Sequence, residues 1–76
     1  MKDLIDYIAR QLVDHPDQVR VDEVQRGQET ALELRVAQED LGKVIGRDGR
    51  TVKAMRTLLA AVSIRQGRRT FLEILE

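Results

Sequence analysis

The apolar residues at the start of the chain repeat at helical spacing. Four of them recur every three to four positions with polar residues between: Leu4, Ile5, Ile8 and Leu12. This spacing predicts an amphipathic helix over residues 3–13. Asp3 is positioned to cap its start. Pro16 sets its end, because proline disfavours helical geometry in the residue before it, here His15.

The pattern then changes to the two-residue alternation of β-strands. Val19 and Val21 alternate with polar residues over 18–25, and Val24 falls out of phase, which predicts a bulge or the strand end near it. A second strand is predicted over residues 30–37, with Leu32, Leu34 and Val36 on one face and Glu33 and Arg35 on the other. The segment Arg26-Gly27-Gln28-Glu29 is a glycine turn that joins the two strands as an antiparallel hairpin.

Helical spacing returns in the second half of the chain. A short helix over residues 38–45 has an apolar stripe of Leu41, Val44 and Ile45, and Glu39-Asp40 lie at its start, where the helix dipole favours negative charge. A longer helix over residues 50–65 has its buried stripe at Val52, Met55, Leu59 and Val62, and Gln66-Gly67 ends it. A final strand over residues 69–75 has Leu72 and Ile74 on one face and Phe71 and Leu75 on the other.

The order helix, strand, strand, helix, helix, strand predicts one α+β domain spanning residues 1–76. A three-stranded sheet packed on one face by the helices buries all the apolar stripes. Because the last strand must cross over through the helical pair before it joins the hairpin, the sheet should be mixed.

Charge is unevenly distributed, although the chain is neutral overall with 13 basic and 13 acidic residues. Residues 1–40 hold five basic and ten acidic side chains, whereas residues 41–69 hold eight basic and one acidic. Such asymmetry favours a local anionic partner. On charge alone, a solvated basic helix face accounts for it equally well.

Several chemistries lack the residues that they need. The chain has no cysteine, which excludes disulfides and thiolate metal sites and fits a cytoplasmic location. His15 is the only histidine and lies in a polar turn; we expect a surface role for it, without a second ligand for a metal or a nearby nucleophile to activate. We therefore expect no enzymatic activity, metal or cofactor. The longest apolar run, residues 58–62, is far short of the roughly 20 residues that a membrane span needs.

The most informative segment is the four-residue loop Gly46-Arg47-Asp48-Gly49 between the last two helices. Gly46 is able to adopt the left-handed conformation that ends the first of them. Gly49 leaves backbone N–H groups open where the next begins. Four basic residues surround this point: Lys43, Arg47, Arg50 and Lys53. Together they predict a site for a chain of phosphates, with no base specificity, although a plain helix–turn–helix connection also accounts for the glycines.

This loop, with Val44-Ile45 before it and basic residues after it, resembles the signature loop of KH domains. The helix and two strands before it match the type II arrangement, and residues 1–75 are similar to the stand-alone bacterial KH proteins of the KhpA type. The resemblance implies a cytoplasmic RNA chaperone or regulator that clamps the backbone of about four nucleotides of single-stranded RNA. It also implies homodimers, or heterodimers with a larger KH-containing protein of the Jag/EloR/KhpB type, which is linked to cell elongation and hence to cell shape.

Carried over residue by residue, the resemblance makes Gly46, Arg47, Asp48 and Gly49 the RNA clamp, with Lys43, Ile45, Arg50 and Lys53 beside it. The groove for the bases would come from the flanking helices and the second strand. Ile45, Val52 and Leu34 are candidates for it, and each fits the hydrophobic core equally well.

The alternative function is a KH-fold protein–protein interaction module that dimerises with a larger KH protein and binds little RNA. The arginine within an intact loop favours RNA binding, because a scaffold needs neither feature. A dimer is expected in addition, because the core of so short a chain is small. Leu58 or the adjacent Leu59, or Phe71 or Leu75 on the last strand, should then face the partner.

Overall fold

The computed structural model describes all 76 residues, with three helices and three strands in the predicted order. The helices are α1 (Lys2–Leu12), α2 (Leu41–Ile45) and α3 (Arg50–Gln66), and the strands are β1 (Arg20–Arg26), β2 (Glu29–Arg35) and β3 (Arg69–Leu75). Short 3-10 turns precede β1, α2 and α3 at Pro16–Gln18, Gln38–Asp40 and Arg47–Gly49. None of the three helices combines the length and apolar character that crossing a membrane requires.

The sheet is mixed, as the crossover predicts, and β2 is its central strand. β1 pairs antiparallel with β2, with Val21 opposite Leu34, and β3 pairs parallel with β2, with Leu72 opposite Leu32. Gly27 closes the hairpin with a φ of 65°, a conformation that glycine adopts without steric cost. The α+β prediction and its type II KH-like order are confirmed.

A single hydrophobic cluster lies between the helices and one face of the sheet. It contains eleven buried residues drawn from all six elements: Ile5, Ala9, Val19, Val21, Leu32, Leu34, Val44, Val52, Met55, Leu59 and Leu72. Burying one large aliphatic side chain of this kind contributes roughly 1.5–3 kcal/mol. The five-residue helix α2 contributes only Val44 to the cluster, so its position depends on few contacts.

The predictions for Val24 and Asp3 have different outcomes. Val24 pairs with Ala31 in an uninterrupted register, so β1 has no bulge there, and the alternative of a strand end near Val24 is the correct one, because β1 ends at Arg26. Val24 lies three residues after Val21, and successive side chains of a strand point to opposite faces, so the two valines lie on opposite faces of the sheet. Asp3 lies within the first turn of α1 and does not cap it, because Met1 occupies the capping position and makes no side-chain bond.

The buried stripes of α2 and α3 also differ from prediction at one position each. Ile45 is 39% exposed, and Val44 is the buried residue of α2. Val62 is only half-buried, whereas the next residue, Ser63, is buried and accepts the backbone N–H of Thr70 on its hydroxyl at 3.1 Å. This bond fixes the first turn of chain after α3, which a valine is unable to do. Leu59 is 1% exposed and is therefore excluded as a contact for a partner.

Candidate functional site

Residues 46–49 form a tight turn that joins α2 to α3. The Gly46 N–H donates to the Gly42 carbonyl at 2.9 Å, and the Gly49 N–H donates to the Gly46 carbonyl at 3.1 Å. Three of the four residues have positive φ: Gly46 at 79°, Asp48 at 56° and Gly49 at 73°. Aspartate is one of the few residues besides glycine that adopts this region readily, so the loop sequence suits its backbone.

The two glycines of the loop face different surroundings. Gly46 has a ψ of 170°, a combination essentially limited to glycine. A Cβ there would overlap the Thr51 hydroxyl and lie 2.9 Å from the Thr51 backbone nitrogen. Around Gly49 a Cβ would meet no atom within 4 Å. Gly46 therefore allows the loop to pack on α3, whereas Gly49 leaves the approach to the helix open.

The first turn of α3 is exposed to an approaching anion. No side chain caps its N-terminus. The preceding turn satisfies two backbone N–H groups there, since Gly49 donates to the Gly46 carbonyl and Arg50 to the Arg47 carbonyl; the next N–H groups of the first turn have no partner within the helix. These groups, together with the helix dipole, favour a negative charge at this end. The backbone at this helix end is therefore suited to an anion such as a phosphate.

Three cations accompany this helix end. Arg47, Arg50 and Lys53 are exposed, and none forms an ion pair or side-chain hydrogen bond within the chain. Arg50 and Lys53 are three residues apart on α3, and so project from the same side of the helix. Asp48 is the only carboxylate in the loop, and it too is exposed without a partner.

Lys43 does not join this group of cations. Its ammonium donates to the Asp14 carboxylate and lies 3.7 Å from Asp40 Oδ1. The hydrogen bond with Asp14 raises the pKa of Lys43, against the opposing effect of burial. The structure therefore brings Arg47, Arg50 and Lys53 to the loop and directs Lys43 away from it.

Only one of the three residues predicted to line an apolar groove for the bases is exposed. Val52 and Leu34 are 8% and 0% exposed and belong to the core, whereas Ile45 is exposed beside Gly46. A cleft of about 570 Å³ lies instead between α3 and the outer edge of β3. Its apolar lining consists of Leu59, Ala60, Ile64, Phe71 and Leu72, and its basic lining of Arg56, Arg68 and Arg69.

Sequence reasoning missed this cleft because side chains of two distant segments form it. Arg56 joins the two walls, since its guanidinium donates from α3 to the Leu72 carbonyl at 3.2 and 3.3 Å. Ile64 was the one available signal. It is an apolar residue on the polar side of α3, and it is 82% exposed.

A fully buried carboxylate was also missed. Asp40 is 0% exposed and accepts the backbone N–H groups of Asp14 at 3.3 Å and His15 at 3.0 Å. Its Oδ2 lies 3.1 Å from His15 Nδ1. Asp40 is thus bonded to residues about 25 positions earlier in the chain, a contact that no local pattern signals.

These contacts shift the pKa of both side chains. Burial opposes the charged form of Asp40, but the hydrogen bonds from Asp14 and His15 outweigh it and lower the pKa of Asp40. The hydrogen bond to Asp40 raises the pKa of His15, with burial opposing. His15, with 43% of its side chain exposed, is therefore not simply a surface residue of a turn. No three histidine, cysteine, aspartate or glutamate side chains converge in a way that could hold a metal ion.

Known proteins match this chain over the loop and over all of its helices and strands. A family model described as KhpA/KhpB, KH domain, matches residues 2–74. Proteins named RNA-binding protein KhpA from Chlamydia pneumoniae and Clostridium acetobutylicum are 50% and 49% identical to this chain, covering 100% and 99% of it and 97% and 100% of their own lengths. A protein of the same name from Aquifex aeolicus is 46% identical over the full chain and 96% of its own length.

Proposed function

This chain belongs to the KhpA/KhpB family of KH domains, and on that premise we propose that it binds single-stranded RNA through the Gly46–Gly49 loop. In this proposal residues 1–76 act as one KH domain in the cytoplasm. The domain performs no catalysis and serves as a chaperone or regulator of RNA, as a homodimer or with a larger KH protein. The names of the three relatives, all RNA-binding proteins, support RNA as the ligand.

One observation carries the proposal: an open helix N-terminus is surrounded by cations that have no partner within the protein. A phosphate approaching Gly49 meets the positive end of the α3 dipole, and a Cβ at this position would meet no atom within 4 Å. Arg47 lies within the turn itself, and Arg50 begins the helix. Contacts of this kind hold the sugar-phosphate backbone and fix its position, but they do not read sequence.

The bases would lie in the cleft between α3 and β3. Arg56 follows Gly49 by seven residues, which is about 10 Å along a helix, and Ile64 lies about 12 Å further. A strand of a few nucleotides leaving the loop spans this distance. Phe71 and the arginines of the rim offer planar groups on which bases stack without regard to sequence. The groove thus differs from the Val52 and Leu34 surface that the sequence suggested.

The test compares two charge reversals with the same change in net charge. Arg47→Asp places a second carboxylate beside Asp48 in the loop, whereas Lys2→Asp makes its change at an exposed, unpaired residue in the first turn of α1. Both side chains are exposed, so each variant should retain its circular dichroism and lose no more than about 0.5 kcal/mol of stability. We expect Arg47→Asp to lose RNA affinity by at least about tenfold, or 1.4 kcal/mol. Lys2→Asp should lose much less.

A folded Arg47→Asp protein that binds RNA as tightly as the wild type would show that the loop is not the binding site. Interaction with another protein would then be the better account of the fold.

A further inference from the structure

We infer that Asp40 is a positioning residue, which holds the loop in its binding conformation from outside it. The inference rests on the proposed binding of RNA by the loop. Asp40 precedes α2 directly, and the loop follows α2 directly. The question is therefore what keeps α2 in place.

The helix α2 is too short to be stable alone. It has five residues, whereas isolated helices shorter than about 12–15 residues are marginal in water. Gly46, the first residue of the loop, also makes the last backbone hydrogen bond of this helix, because its N–H donates to the Gly42 carbonyl. Any displacement of α2 is consequently transmitted to the loop backbone.

Asp40 fixes the start of α2 to a different part of the molecule. Its carboxylate accepts hydrogen bonds from the backbone N–H groups of Asp14 and His15 and from the His15 ring, all in the connection between α1 and β1. The Lys43 ammonium lies 3.7 Å from Asp40 Oδ1. A buried carboxylate is tolerated only when donors surround it in this way. The connection receives support of its own, since Arg10 donates to the Pro16 carbonyl at 2.7 Å. The far end of α2 is fixed by the close packing of Gly46 on Thr51.

The Asp40→Asn substitution distinguishes positioning from simple electrostatics by the sign of its effect. As a negative charge at the start of the helix that leads to the loop, Asp40 would oppose RNA binding, and its removal would leave Lys43 with one carboxylate partner, Asp14, in place of two. On that view the variant binds RNA more tightly. As an anchor, Asp40 supports binding, because asparagine keeps only one acceptor oxygen and turns its NH2 group toward a donor that the second carboxylate oxygen accepts from in the wild type. The variant then binds more weakly.

The first experiment measures amide hydrogen exchange on the protein without RNA. The control is Leu32→Val, which removes one methylene from the centre of the sheet and destabilises the fold as a whole. We expect exchange at Gly46 and Gly49 to accelerate at least about tenfold relative to the amides of β2 in Asp40→Asn, as local opening predicts. Amides of β2 exchange chiefly through global unfolding and those of the loop through local opening, so the control should accelerate the β2 amides and should not raise this ratio. A ratio that does not rise in Asp40→Asn overturns the inference.

The second experiment measures the affinity of both variants for a short oligouridylate, at a temperature where both are folded by circular dichroism. Asp40→Asn should bind about tenfold more weakly than the wild type, and Leu32→Val should bind like the wild type. Equal or tighter binding by Asp40→Asn overturns the inference.

Failure of the proposed function gives a different result. If the wild type does not bind the oligouridylate, RNA binding by the loop is refuted, and the exchange experiment alone decides the role of Asp40. Should Asp40→Asn not fold, His15→Ala removes one of the donors and leaves the backbone bonds. It should then give faster loop exchange and weaker binding in the same two measurements, and wild-type values in both would refute the role.

Discussion

The two glycines of the loop differ in what a side chain would meet. At Gly46, both the backbone conformation and the space exclude one, because Thr51 lies against it. At Gly49, the backbone is left-handed but the surroundings are empty. The first glycine is thus required by the packing of the fold, whereas the second is required only by its left-handed backbone and leaves open space beside the start of α3.

Alanine substitutions should separate these roles. Gly46→Ala must displace Thr51 in addition to adopting a strained conformation, so we expect a loss of at least about 2 kcal/mol in the free energy of unfolding. Gly49→Ala has only the left-handed conformation to accommodate, and should lose about 1 kcal/mol. Its larger effect should be on RNA affinity, because the methyl group projects where a phosphate approaches. Urea unfolding measures the first difference, and equal losses in the two variants would contradict this assignment.

Individual loop residues were predictable from the sequence to an uneven degree. Two glycines three residues apart with an arginine between them indicate the loop without any structure. The contact between Gly46 and Thr51 could not be predicted from the sequence, because it depends on the unusual ψ of Gly46. Nor did the partner of Lys43 follow, since Asp14 lies 29 residues earlier in the chain. Spacing reports local neighbours, whereas these contacts come from the fold.

Among the elements, α2 is the one held chiefly by contacts made outside itself. All six elements were predicted in order because each has a clear period of apolar residues. Two of the errors within them fall where a polar group is buried. Ser63 replaces Val62 on the inner side of α3 because its hydroxyl accepts the Thr70 amide. Asp40 was expected to act on the helix dipole, and is instead enclosed and bonded across the fold. Apolar periodicity contains no information on such pairs.

The Asp40 anchor makes stability depend on pH in two directions. The pKa of His15 is raised in the folded state above its ordinary value of about 6.5. Its contribution is therefore complete below about pH 6.5 and is lost as the pH rises through the raised value. The pKa of Asp40 is lowered beneath its ordinary value of about 3.9. That contribution is complete above about pH 4, and is lost as the pH falls through the lowered value.

The pair should thus stabilise the protein most between about pH 4 and 6.5. Because other carboxylates also titrate, the measurement is the difference in melting temperature between wild type and His15→Gln, followed from pH 5 to about pH 9. This difference should decrease as the pH rises. A difference that remains constant across the range would mean that the His15 charge does not contribute to the anchor.

For the whole molecule, the charge available to a ligand is smaller than the sequence suggests. Residues 41–69 contain eight basic side chains. Two of them are paired with a carboxylate, Lys43 with Asp14 and Arg69 with Glu29. Two others, Arg56 and Arg68, bond to neutral groups, the Leu72 carbonyl and Gln25, and keep their charge. Three of the remaining four, Arg47, Arg50 and Lys53, lie at the loop and the start of α3. The net charge of zero therefore conceals a local site with three basic side chains and one carboxylate, Asp48.

This count predicts the salt dependence of RNA binding. Three phosphate contacts at about −0.7 each give a log–log slope of about −2, so a fourfold rise in salt should weaken binding about 20-fold. Arg50→Ala should reduce the slope by about 0.7, whereas Lys43→Ala should leave it unchanged, because Lys43 is already paired. A flat response in the wild type would contradict a phosphate clamp.

The exposed side of α3 carries an apolar surface through which the protein could self-associate. Ala54, Leu58 and Ala61 recur at spacings of four and three residues, so they lie on one face of the helix, and all three are exposed. Leu59 is buried, which leaves Leu58, at 39% exposure, as the larger side chain of this face. The flanking alanines allow a second helix to approach closely. We expect two copies to pair through α3 about a two-fold axis.

In such a pair each Leu58 lies near its own symmetry mate, because a two-fold interface uses the same surface on both chains. Leu58→Glu would therefore bring two like charges together. The matched control is Ile64→Glu, since Ile64 is even more exposed but lies about 120° around the helix from Leu58. Sedimentation equilibrium at a protein concentration of tens of micromolar should show a dimer for the wild type and for Ile64→Glu. A dissociation constant in this range corresponds to a binding free energy of about −6 kcal/mol. Leu58→Glu should be a folded monomer. A monomeric wild type at this concentration, or a Leu58→Glu protein that remains dimeric, would exclude this face as the interface.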